Sequence, residues 1–110
     1  MEKVIILNKG KVTVKVVNKF KERIKGFRFY LANIKEGLCY PRKKMINTYF
    51  NCQRLDIIVT DKSDKILAIY RNMKTEKFIR PRLKAYYIYL LPVGSADGLE
   101  ISEKLKVVTK

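Results

Sequence analysis

The sequence predicts an α+β, mainly-β single domain, a small curled antiparallel sheet or barrel-like fold with one short helix. Three observations carry this. Valines alternate with polar residues over Val12–Val16, a β-branched run spans Leu55–Thr60, and short apolar segments recur between turn signals with room for one brief helix. The 110 residues suit one domain, 1–110, built on one core.

Val4–Leu7 is a short apolar strand, and Lys9-Gly10 is a turn signal after it. Val12, Val14 and Val16 alternate with Lys11, Thr13 and Lys15, so the next strand has one buried and one wet, basic face. The two are expected to form a hairpin. Asn18 can cap the helix. Phe20, Ile24 and Phe27 then share one helical face, and Gly26 is placed to end it. After Gly37, Leu38-Cys39-Tyr40 reads as a buried strand closed by Pro41, and Arg42-Lys43-Lys44 as a basic turn. Leu55–Thr60 and Ile66–Tyr70 should pair as a hairpin through the Asp61–Asp64 turn. Arg71–Lys84, polar and interrupted by Pro81, reads as a long loop. Ala85–Leu91, with Tyr86, Tyr87 and Tyr89, is the most strand-like segment. Gly94–Gly98 is a turn, and Lys106–Val108 a candidate last strand.

Composition excludes several chemistries. The chain contains no histidine, so a Ser-His-Asp or Cys-His catalytic arrangement is impossible within it. Two cysteines without histidine cannot supply an ordinary zinc site. The five glycines form neither a P-loop nor a dinucleotide fingerprint. No cofactor is therefore expected. Cys39 and Cys52 fit reduced packing residues of a cytoplasmic protein. No apolar run approaches the ~20 residues of a spanning helix, and no signal peptide is expected.

The order of segments resembles the family known as domain of unknown function 192, or uncharacterised protein family 0127. The residues that carry the likeness are Glu22–Phe29, Gly37-Leu38-Cys39-Tyr40, Met45-Ile46-Asn47-Thr48, Leu55–Val59, Tyr89–Gly94 and a tail from Gly98 to Leu105. They cover roughly residues 12 to 105. Lys44 and Ile46 depart from the Trp and Lys that flank the family's central Met, and Asp64 replaces the glycine of its Asp-x-x-Gly turn. The resemblance implies a compact β-rich domain and brings no catalytic residues.

Two candidate sites follow from the residues themselves. Met45, Asn47, Thr48 and Asp56 offer a small polar pocket, since a mid-strand carboxylate is unfavourable unless partnered. Alternatively Asn47 and Thr48 simply satisfy Asp56, which is the commoner role of such groups. The second candidate is charge. The chain carries 25 Lys and Arg against 10 Asp and Glu, a net of +15. Residues 9–28 hold eight basic groups and one acid, and residues 71–84 hold six and one. Arg80, Arg82 and Lys84 lie beside Tyr86 and Tyr87, a pairing of cations and rings that suits nucleic acid. A solvated basic surface would give the same composition. The functional expectation is a small basic non-enzymatic binding or accessory domain of unknown ligand. The alternative is a nucleic-acid-binding β-domain using clusters 9–28 and 71–84. An anionic partner fits either.

Overall fold

The computed structural model describes residues 2–8, 10–17, 36–42, 46–47, 54–73, 78–79 and 83–109, with 46–47 and 78–79 described by their backbone. The strands are β1 (Glu2–Leu7), β2 (Gly10–Val16), β3 (Gly37–Pro41), β4 (Ile46–Asn47), β5 (Leu55–Thr60), β6 (Ile66–Met73), β7 (Phe78–Ile79), β8 (Tyr87–Leu91) and β9 (Lys106–Thr109). Seven of them form one sheet in the order β6-β5-β8-β3-β2-β1-β9, curled into a half-barrel, while β4 and β7 pair separately. The domain is mainly β, as the alternation at Val12–Val16 demands.

The alternating valines place Val14 and Val16 inside while Lys11 and Lys15 stay in water. β1 and β2 form the expected hairpin, with Leu7 opposite Gly10. Gly10 turns the chain at φ +140°, a conformation that disfavours side chains. β5 and β6 likewise form the second expected hairpin, with Ile58 opposite Ile69. Its turn is fixed by Asp61, whose Oδ1 accepts from the N–H groups of Ser63 and Lys65 and from the Ser63 hydroxyl.

Three expectations change. The sheet is mixed, because β2 and β3 run parallel, with Val14 beside Gly37. The segment read as a loop from Arg71 is partly strand: Arg71, Asn72 and Met73 extend β6, and Phe78–Ile79 forms β7 against β4. Both pieces escape hydrophobic patterning, one because Arg71 and Asn72 are exposed, the other because it is only two residues long. Ala85 and Tyr86 fall outside the strand that follows them. The helix expected from Asn18 lies outside the described residues.

The core forms on both faces of the sheet. The inner face draws residues from all seven strands, among them Ile5, Val14, Cys39, Ile58, Ile66, Tyr89 and Val107. The opposite face gathers Tyr40, Leu55, Ile57, Val59, Ile88 and Leu90. All six β5 residues are buried. That suits its apolar Leu55 and Ile57–Val59, each buried Ile or Leu contributing about 1.5–3 kcal/mol, and leaves Asp56 and Thr60 as buried polar groups that need partners. Irregular pairing at Leu55/Ile57 and at Val59/Thr60 interrupts the β5–β6 ladder, which adds twist and helps the sheet curl. The chain before β9 then returns to the start of β6. Ile66 N–H donates to the Glu103 carbonyl, and Leu105 N–H to the Asp64 carbonyl, both across the curl. Among the described residues no helix is long and apolar enough to cross a membrane.

Candidate functional site

Asp56 is buried, with only 1% of its surface exposed. It sits where the β5–β6 register slips, opposite Leu91 at the end of β8. Beyond Leu91 the chain turns through Pro92 and Gly94, and Gly94 adopts φ +95°. That turn aims two N–H groups back at the carboxylate: Gly94 N at 3.0 Å and Ala96 N at 2.9 Å, both on Oδ2. The other oxygen accepts from Asn72 N at 2.8 Å. Both oxygens are thus engaged by backbone. Asp56 ties the β8–β9 connection and the β6 irregularity to the centre of the sheet.

The proposed partners of Asp56 are not brought to it by anything described. Asn47 is placed by backbone alone, opposite Phe78 in the β4–β7 pair, and Met45 and Thr48 lie outside the described residues. The partners found are main-chain groups, which carry no sequence signature. Arg71 acts on the same loop from outside. Its guanidinium donates from Nε to the Ala96 carbonyl at 3.3 Å and from the other arm to the Leu99 carbonyl. A carboxylate collecting N–H groups and a guanidinium collecting carbonyls therefore hold one loop between them.

A second polar cluster lies within the half-barrel. Tyr89 projects into the inner core, and its hydroxyl donates to Asp64 Oδ1 at 2.7 Å. Asp64 is held at φ +66° in the hairpin turn, so its carboxylate reaches inward. Cys39 pairs with Tyr89 across β3 and β8. Burial pushes the Cys39 thiol up to about 11, against the opposing pull of the Lys3 charge. Burial, reinforced by the neighbouring Cys39 and Asp64, also holds the Tyr89 phenol protonated well above the usual range. Neither group is a nucleophile at neutral pH, since the thiolate and not the thiol reacts. Every buried polar side-chain atom among the described residues has a hydrogen-bond partner.

One end of the half-barrel brings tyrosine rings and lysine ammonium groups together. There β8 begins with Tyr87, flanked by the end of β5 at Thr60 and the end of β3 at Pro41. Tyr86 and Tyr87 meet edge to face, their ring centres 4.6 Å apart. The Lys3 ammonium stands 4.5 Å over the Tyr87 ring, and that of Lys62 lies 5.9 Å from the Tyr86 ring centre. Both fall within cation–π range, the second at its edge. Lys84 is exposed just before the tyrosines, and Arg42 is exposed just after Pro41. Two carboxylates of the adjoining β5–β6 turn are engaged: Asp61 in its turn, where the Lys65 N–H holds it ionised below its ordinary pKa, and Asp64 by Tyr89.

Of the residues expected to contact nucleic acid, Lys84, Tyr86 and Tyr87 stand at this rim, while Arg80 and Arg82 lie outside the described residues. Lys3 and Lys62 were not expected there. No local pattern could have found them, because they reach the tyrosines from the first strand and from the β5–β6 turn.

No family profile and no curated protein matches the chain by sequence. Two solved structures are similar to it. One is a protein of unknown function from Novosphingobium aromaticivorans, with TM-score 0.74 and 17% identity, covering 96% of this chain and 84% of the other. The second is a proposed transcription regulator from Sinorhizobium meliloti, with TM-score 0.73 and 18% identity, covering 96% and 91%. At these identities the likeness is one of fold, and the half-barrel is the architecture this chain shares with both.

Proposed function

We propose that this chain is a non-enzymatic binding domain, related to the domain of unknown function 192 family whose motif order it follows. In this reading it takes an anionic partner at the tyrosine–lysine rim. The carrying observation is the convergence of Lys3 and Lys62 on Tyr86 and Tyr87 from separate parts of the chain. The other polar groups support a binding role over a chemical one. Asp56 is engaged by three N–H groups, and the Cys39 thiol stays protonated until about 11. A rim of cations against a net charge of +15 favours polyanions and loses affinity in salt.

The test compares two double replacements in polyphosphate and heparin binding at low and physiological salt. Lys3→Gln with Lys62→Gln should weaken binding more than Lys104→Gln with Lys106→Gln, which removes equal charge from the β9 side. Equal losses would mean that only net charge matters and would refute a defined site. Nucleic acid is the second reading. The ring–cation pairing favours it, and a similar fold occurs in a proposed transcription regulator. In that case clusters 9–28 and 71–84, with Arg80, Arg82 and Lys84, would supply further phosphate contacts.

A further inference from the structure

We infer that the rim binds single-stranded nucleic acid, with the Tyr86 ring as a stacking platform for an unpaired base and Lys3 and Lys62 taking the flanking phosphates. The inference rests on the anionic-partner reading and narrows it.

The tyrosines do different work. Tyr87 packs partly against the inner core, whereas Tyr86 is a member of neither core cluster among the described residues. Tyr86 is nonetheless held in place. Its N–H donates to the Thr60 carbonyl at 2.9 Å, and its ring meets Tyr87 at an interplanar angle of 73°. A partly exposed ring that is fixed by its neighbours rather than buried among them has little ordering entropy left to lose on binding. The cations are also graded. Lys3 sits close over Tyr87, and Lys62 lies loosely at the limit of contact with Tyr86. The looser ammonium can leave the ring for a phosphate when a base arrives.

That combination selects a polymer presenting flat rings and regularly spaced anions together. A polyphosphate has the charge without the rings. A duplex has both, but its bases are stacked on one another and closed to a tyrosine. An unpaired strand alone offers a free π-face beside its phosphates. Among the described residues, the two carboxylates of the neighbouring β5–β6 turn have oxygens engaged, Asp61 within its own turn and Asp64 by Tyr89 and, at 3.5 Å, by Thr60; they keep their charge, so the strand's phosphates must be drawn by the lysines against them.

The experiment measures fluorescence anisotropy with labelled DNA and RNA single strands of about ten nucleotides, within the site size of small β-folds. Duplexes of the same sequences and polyphosphate of matched charge compete. The proteins are wild type, Tyr86→Leu and Tyr86→Phe, each checked for native circular dichroism. The expected result is preference for a single strand over both competitors. Tyr86→Leu should lose about five- to a hundredfold of that affinity, the range a stacked base contributes, while Tyr86→Phe retains it. Duplex binding as tight as single-strand binding, or a neutral Tyr86→Leu, would overturn the inference and leave the anionic-partner reading standing. Failure of all polyanions to bind would overturn both.

Discussion

Replacing Asp56 by Ala should be among the most destabilising single changes in this domain. The carboxylate accepts from Asn72 N at 2.8 Å, Gly94 N at 3.0 Å and Ala96 N at 2.9 Å. Truncation leaves all three donors without their acceptor. The Ala96 bond is buried, so its loss costs the desolvation of an amide, about 1–3 kcal/mol. The other two are part-buried, and water can recover some of their loss, leaving about 1 kcal/mol each. The sum is about 3–5 kcal/mol against the 5–15 kcal/mol that holds a typical domain together. At about 4 °C per kcal/mol for a chain of this size, the thermal midpoint should fall by about 12–20 °C. Urea titration of the same variant should show an equivalent loss in midpoint at unchanged slope. Asp56→Asn keeps one acceptor oxygen but turns an amide NH2 against a backbone donor, so it should fall between wild type and Ala. A midpoint within about 3 °C of wild type for Asp56→Ala would refute the reasoning, because no set of three unpaired amides is that cheap.

The other predictions are smaller or concern reactivity. Arg71→Ala should cost about 1 kcal/mol by freeing the carbonyls of Ala96 and Leu99, and Arg71→Lys should recover only part, lacking the planar fork; chemical denaturation measures both. Gly37→Ala should cost about 3 kcal/mol or more, because its Cβ would stand 2.6 Å from Leu91 Cδ2 and 2.7 Å from the Leu90 carbonyl oxygen in a packed sheet; a thermal midpoint equal to wild type would contradict it. On alkaline titration the unfolded thiol ionises near 9.0 while Cys39 in the fold holds its proton to about 11. The stabilisation is therefore complete below pH 9 and is lost as pH rises toward 11, at up to about 1.4 kcal/mol per pH unit. In a Cys52→Ser background, a thiol reagent at pH 8 should fail to label Cys39 until urea unfolds the chain.

The strands that could be read from the sequence are those whose side chains record their own burial. Val12, Val14 and Val16 face one side at a period of two, and the turn Asp61–Asp64 contains the carboxylate that closes it. What could not be read depends on partners distant in the chain. Nothing in Val14 or Gly37 signals that β2 and β3 run parallel, since a parallel pair has no hairpin turn to mark it. The extension of β6 through Arg71 and Asn72 is hidden by polarity, because side chains at the end of an outermost strand stay in water and look like loop.

The two candidate sites differ in the same way. A carboxylate between Leu55 and Ile57 announces that it must be partnered, and it is. Its partners could not be named, because a main-chain N–H belongs to every residue type but proline and only the turn at Gly94 decides which ones point inward. The rim reverses this. Tyr86 and Tyr87 stood out as rings beside a basic cluster, yet the described cations that touch them, Lys3 and Lys62, come from outside that cluster. Clustering in sequence measures composition, while a binding surface needs convergence in space. Lys62 reaches Tyr86 because β5 and β8 are neighbours and the β5–β6 turn sits at the start of β8. Lys3 reaches Tyr87 because the sheet curls, so that inner-face side chains of the first and eighth strands, with two strands between them in the sheet, lean toward each other. Flattening that curl would leave every strand hydrogen bond within the sheet intact and still take Lys3 away from the ring. The rim is thus a property of the half-barrel's curvature, and variants that relax the β5–β6 irregularities should weaken polyanion binding even when every lysine and tyrosine is kept.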